Sequence, residues 1–158
     1  MEKGKFCNYM TIINFFDAPN REHWWEELQK NDWVSGELLC KFIRENSFFS
    51  TLGETSKLLL LVDGDHIVSF CTYAERDDIP ATDFTPWAGF VYTFPQYRGH
   101  HYAGLLLAEA ERLARKEGRP ALYISTGHKG LYEKYGFTYK TTLPDVNGNP
   151  SNVYVKCF

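Results

Sequence analysis

Apolar and polar positions along this chain follow two periods, and the switches between them outline its elements. Residues 9–16, rich in Ile, Thr and Phe, predict a first strand. Asp17 or Asn20 then caps a helix running through Trp24, Trp25 and Leu28, and a second helix begins at Ser35 with Glu37 in its first turn. Leu38, Leu39, Phe42 and Ile43 fall at helical spacing there, which predicts a buried stripe. Residues 58–62 are apolar throughout, as in a central strand covered on both faces. Residues 66–74 follow across Asp63-Gly64-Asp65, and Asp-Gly between apolar runs is the strongest short-range hairpin signal.

An apolar strand over residues 87–94 leads through the turn 96–104 into a long amphipathic helix, residues 105–117, which Gly118 and Pro120 close. Residues 121–125 predict another buried strand. Gly136 ends a short helix carrying Tyr132, and residues 137–142 pair with 152–157 across a turn near Asn147-Gly148. The sum is an α/β fold, a mixed sheet of six or seven strands with helices on both faces. No repeat, low-complexity tract or linker interrupts the pattern, so residues 1–158 are expected to form a single domain.

Composition narrows the function classes. The 158 residues suffice for one sizeable core, and 44% apolar with 16% aromatic content excludes a disordered chain. A formal charge of −3 argues against a nucleic-acid binder with a broad basic surface. No apolar run approaches the ~20 residues that span a bilayer, and no signal-peptide core follows Met1 to Lys5. A cytoplasmic protein without nucleic-acid or membrane partners is expected. Cys7, Cys40, Cys71 and Cys157 stand singly, with no metal-ligand spacing, so no metal is expected and Cys71 reads as a packed thiol.

The turn is where chemistry first shows. A strand end, Gly99 and then a helix aim unpaired N–H groups at one point, where the helix dipole adds roughly half a positive charge. Arg98 adds a permanent charge. Neither G-x-x-x-x-G-K-[ST] nor the Rossmann glycine spacing is present, which sets the turn apart from common nucleotide sites.

Gln96-x-x-Gly99-x-His101 and the later run Tyr132-Glu133-Lys134-Tyr135-Gly136-Phe137 together closely resemble the GCN5-related N-acetyltransferase (GNAT) superfamily. The first matches its Q/R-x-x-G-x-G/A pyrophosphate loop, and the second, more specific, its Y-E-K-x-G-F ending. The likeness covers about residues 58–139 and is weak over the first fifty. It implies an acyl-CoA N-acyltransferase fold and direct transfer of an acetyl group from acetyl-CoA, as cosubstrate, to a primary amine on a small molecule or peptide. Homodimers are common in the superfamily. The alternative is a non-catalytic acyl-CoA sensor or interaction module on the same fold.

The resemblance also implies roles. Val91, Tyr92 and Thr93 would lend main-chain groups to the pantetheine arm by strand addition. Arg98, Gly99, His100, His101, Tyr102, Ala103 and Gly104 would hold the pyrophosphate, with His101 departing from the usual small residue. Tyr132 would donate a proton to the leaving thiolate. Tyr135 is expected to pack. A general base must come from elsewhere, because residues 90–93 contain no acid. Glu75, Asp77, Asp78 and Asp83 flank that strand, and Glu75, at the end of an apolar run, is the first choice. His100, His101 and His128 read as loop residues. Trp24, Trp25, Trp33, Phe48 and Phe49 cover the sheet or line the acceptor pocket.

Overall fold

The computed structural model describes residues 10–158, so Cys7 and Tyr9 lie outside the described residues. Strand β1 (Met10–Asn14) is followed by a 3-10 turn, Phe15–Asp17, and by helices α1 (Arg21–Leu28), α2 (Val34–Arg44) and α3 (Phe48–Leu52). Strands β2 (Lys57–Asp63), β3 (His66–Ala74) and β4 (Trp87–Thr93) come next, then α4 (Tyr102–Lys116) and β5 (Ala121–Thr126). The chain ends with β6 (Thr138–Pro144) and β7 (Pro150–Cys157). The seven strands form one sheet in the order β1-β2-β3-β4-β5-β7-β6. Only β4 and β5 run parallel, because α4 is the crossover that a parallel pair requires.

The unbroken apolar run in β2 has the predicted cause. Leu58, Leu60 and Val62 pack towards α1, α2 and α3, against Trp24, Leu28, Leu39, Phe48 and Leu52. Leu59 and Leu61 face the other way, onto Leu106, Leu107 and Ala110 of α4. A period of two thus feeds two cores at once. The Asp63-Gly64-Asp65 hairpin forms as predicted, with Asp63 opposite His66.

Three local expectations change. Strand β1 stops at Asn14 because its Oδ1 accepts from the N–H groups of Phe16 (3.4 Å) and Leu58 (3.3 Å), which turns the chain out of the ladder. Helix α2 starts at Val34, and its buried residues are Gly36, Leu39 and Cys40, while Leu38 is 43% exposed. Helix α3 had no signal in the sequence pattern. Phe48 and Phe49 hold it by packing on Phe16, with ring centroids 4.7 and 4.6 Å away.

Strand β4 carries a bulge. Tyr92 pairs with Phe70 and Gly89 with Thr72, so Phe90 and Val91 together oppose Cys71. Phe90 takes a positive φ of 48°. The extra residue switches faces: Ala88 belongs to the α4 core, yet Tyr92, four residues on, belongs to the other. Strict alternation would forbid that.

Phe70 is fully buried among the rings that this arrangement gathers, with Tyr92 at 5.3 Å, Phe94 at 6.2 Å and Trp33 at 6.5 Å. Phe70→Ala is expected to destabilise the protein by about 3–5 kcal/mol in urea unfolding. A loss under about 1 kcal/mol would contradict the packing.

Candidate active site

Strands β4 and β5 pair only at Trp87↔Tyr123 and Ala88↔Ile124. Beyond Ala88 the strands part, and the β4 edge that faces β5 has no strand partner. The gap is a cleft of about 500 Å³, walled by Gly89, Phe90 and Val91 on one side and by Ile124, Ser125 and Thr126 on the other. This is the size range of small-ligand sites. Among the described residues no three His, Cys, Asp or Glu side chains group as a metal site.

Asp77 reaches into this cleft from the connection between β3 and β4. It lies so close to the Gly89 main chain that a Cβ there would sit 2.1 Å from its Oδ1. Glycine at 89 therefore admits the carboxylate. Although the residue as a whole is half-buried, Asp77 Oδ1 is inaccessible and has no hydrogen-bond partner among the described residues; the same holds for Asp78 Oδ1 and Thr72 Oγ1. Loss of water, then the neighbouring Asp78 charge, pushes the Asp77 carboxyl well above its ordinary range.

Tyr132 lines the same cleft, just before the 3-10 turn Glu133–Tyr135 that Gly136 closes with a φ of 95°. Its ring packs on Phe137 at 6.3 Å, and burial raises its phenol above the ordinary value, so the hydroxyl stays protonated. Glu75 is the base that the sequence suggests. It is absent from the cleft lining. Its Oε2 accepts from Thr55 N–H (3.0 Å) and Thr55 Oγ1 (2.7 Å), and those bonds hold its carboxyl below the usual range. A carboxylate so satisfied is a brace between β3 and the loop before β2, and a poor proton acceptor. Asp83 does not line the cleft either, whereas His128 does.

At the far end of β4 the turn takes the form of an anion cradle. None of the N–H groups of Gly99, His100, His101, Tyr102 and Ala103 donates to another described residue. Gly99 has a φ of 91° and open space around it. Arg98 folds back: its Nε donates to Thr93 O (2.8 Å) and its guanidinium lies 5.3 Å from the Tyr92 ring centre. Tyr92 itself stacks on Trp33 at 5.4 Å and donates to Asp32 Oδ1 (3.2 Å), so only its main chain is available to the β4 edge. Gly104 has a packing reason, since a Cβ there would meet the Tyr135 ring at 2.7 Å. Tyr135 packs as expected and also reaches His101 Nδ1 at 3.4 Å. His100 is exposed beside Tyr102.

The family model described as the acetyltransferase (GNAT) family matches residues 15–137, well over half of the chain. The chain belongs to this family. A comparison with curated proteins finds no match. Solved structures share the GNAT fold along nearly the whole chain. An acetyltransferase from Streptococcus agalactiae is 20% identical over 95% of this chain and 99% of its own, with a TM-score of 0.65. A GNAT family acetyltransferase from Elizabethkingia anophelis, solved with acetyl-CoA bound, is 16% identical over 96% and 99%, with a TM-score of 0.65. An aminoglycoside 6'-acetyltransferase type Ii is 16% identical over 94% and 96%, with a TM-score of 0.66. Identities this low establish the fold and no more.

Within this GNAT fold, Val91 and Tyr132 meet at the cleft, and the turn lies at the end of the same strand. Gly89 was missed in the sequence, although an isolated glycine inside a strand pattern signals close backbone approach. Trp33 alone of the aromatic cluster lines the cleft; Trp24 and Phe48 are core, and Phe49 is 38% exposed.

The burial of Asp77 has a consequence for stability. A carboxyl with a raised folded pKa contributes stability that is present below its unfolded value and is lost as pH rises through the folded value. Asp77→Asn removes that loss. The variant should melt above the parent protein at about pH 8, and the gap should close as the pH falls towards 3.8, the ordinary value. A variant that melts lower at about pH 8 would refute the burial argument.

Proposed function

We propose that the chain, as one N-acetyltransferase domain, transfers the acetyl group of acetyl-CoA to a primary amine by direct attack, with Asp77 as general base and Tyr132 as donor to the leaving group. The observation that carries this reading is an inaccessible carboxylate oxygen, Asp77 Oδ1, without a partner among the described residues, on a residue that lines the same cleft as the buried Tyr132. Acetyl-CoA, as cosubstrate, would supply the acetyl group as a thioester. Membership of the family supports the reading, as does the acetyl-CoA bound in the Elizabethkingia neighbour.

The chain's own groups fit that cosubstrate. The edge of β4 along Val91, Tyr92 and Thr93 has no strand partner on the β5 side and can take an extended amide-bearing arm as an added strand, with Arg98 giving up the Thr93 carbonyl. Beyond it, the N–H groups of Gly99, His100, His101, Tyr102 and Ala103 and the N-terminus of α4 suit a pyrophosphate, with Arg98 alongside. Gly104 serves the turn indirectly, by letting Tyr135 close on the helix.

An ammonium must become a neutral amine before it can attack. Asp77 can accept that proton because desolvation brings its carboxyl towards the range in which amines release theirs. A carboxylate at its ordinary value would be too weak a base. Tyr132, protonated throughout the working range, offers a hydrogen bond to charge developing on sulfur.

Asp77→Asn is expected to lower kcat/KM for an acceptor amine by about 100-fold and to remove the rise of rate with pH that deprotonation of Asp77 produces. Acetyl-CoA affinity should stay unchanged. Glu75→Gln should keep that rise; the opposite pair of results would return the base to Glu75. Tyr132→Phe should cut turnover about tenfold or more with cofactor affinity nearly intact. Acetyl-CoA at 100 Kd should stabilise the fold by about 2.7 kcal/mol in thermal melts, and the absence of any shift would refute cosubstrate binding.

A further inference from the structure

Beyond Asp77 and Tyr132 the cleft opens between the first turns of α2 and the turn joining β6 to β7. Its acidic lining residues are Asp77, Asp78 and Asp145, and no Lys or Arg lines it among the described residues. Asp145 is engaged in its own turn, where its Oδ1 accepts from the N–H groups of Asn147 and Asn149, both at 2.9 Å. The buried carboxylate oxygens without a partner among the described residues are Oδ1 of Asp77 and Oδ1 of Asp78. Unmet hydrogen-bonding capacity at the inner end of the cleft is therefore concentrated in one pair.

The outer walls are of a different kind. Leu38, 43% exposed, and Val146, 63% exposed, line the cleft together with Phe90 and Trp33. Val34, 87% exposed, lies one turn before Leu38 on α2. Of six large apolar residues exposed among the described residues, Leu38 and Val146 line this one cleft. Apolar side chains held open beside a ligand cleft mark a surface that something apolar covers.

We propose that the acceptor is a small primary amine with a single positive charge on an apolar body, the ammonium meeting Asp77 and Asp78 and the body lying against Phe90, Leu38 and Val146. This rests on the acetyltransferase reading and sharpens it. A polyamine or aminoglycoside would press further charges or hydroxyls against the Leu38 and Val146 side chains, which offer no hydrogen bond, and burial would strip their water. A cleft of about 500 Å³ that also holds the acyl end of the cosubstrate leaves space for a body of modest size.

The test is a comparison of initial rates with acetyl-CoA and four amines: phenethylamine, ethylamine, spermidine and kanamycin. Phenethylamine should exceed each of the others in kcat/KM by about tenfold or more, since even small apolar differences in a pocket are worth 10- to 200-fold. Leu38→Ser with Val146→Ser should bring the phenethylamine-to-ethylamine ratio down towards one. Both side chains are exposed, so the core is untouched, and the comparison of amines on the parent protein is independent of any variant. Preference for spermidine or kanamycin, or a ratio that the double variant leaves alone, overturns the proposal while amine acetylation stands. Acetylation of none of the four overturns both.

Discussion

The β4 bulge is the constraint from which the cleft follows. Two residues, Phe90 and Val91, oppose the single Cys71, and Phe90 adopts a φ of 48° that a bulky side chain disfavours by about 1–3 kcal/mol. Neighbours on one face hold it there: Phe42 meets the Phe90 ring edge-on at 6.2 Å, and Tyr92 stacks on Trp33. On the β3 side, pairing resumes at Tyr92 and Thr93. On the β5 side it does not, and the ladder ends after two residues. The sheet is thereby continuous along one edge of β4 and open along the other, where β4 has no strand partner.

That opening also sets the electrostatics. A carboxylate on a connecting loop is ordinarily hydrated and weakly basic. Asp77 differs because Gly89, beside the bulge, has no side chain to keep it out. The three buried side-chain oxygens without partners among the described residues, on Thr72, Asp77 and Asp78, all lie in this corner of the fold. Buried polar atoms are nearly always paired, so a concentration of unpaired ones is destabilising and calls for a functional reason.

The legible parts of the fold were those fixed by neighbours in sequence. The Asp-Gly hairpin, the amphipathic α4 and the Tyr132 to Phe137 segment follow from turn chemistry and periodicity within a dozen residues. The illegible parts were fixed across the fold. Helix α3 exists because Phe48 and Phe49 find Phe16, more than thirty residues earlier. Leu38 satisfies the helical period yet overhangs the cleft, since periodicity identifies a face and not where the sheet beneath it stops. Glu75 and Asp77 look equivalent in the chain, two residues apart on the same connection. One is satisfied by Thr55 and the other fits against Gly89, and neither partner is near in sequence.

The two motifs that carried the family resemblance turn out to touch. Gly104, in the first turn of α4, leaves room for the Tyr135 ring, and Tyr135 in turn meets His101, the residue that departs from the small-residue pattern. The His101 backbone is left-handed, with a φ of 58°, and its ring lies edge-on to Tyr135 at 6.4 Å. Its bulk is thus taken up by packing on the second motif, while the adjacent N–H groups make no bond within the described residues. Small residues in this turn therefore answer to two separate demands. Gly99 serves open backbone at the anion cradle, and Gly104 serves the joint between the cradle and the segment that carries Tyr132. A larger residue is tolerable at 101 because its side chain has that joint to lie against, whereas one at 104 would force the two motifs apart.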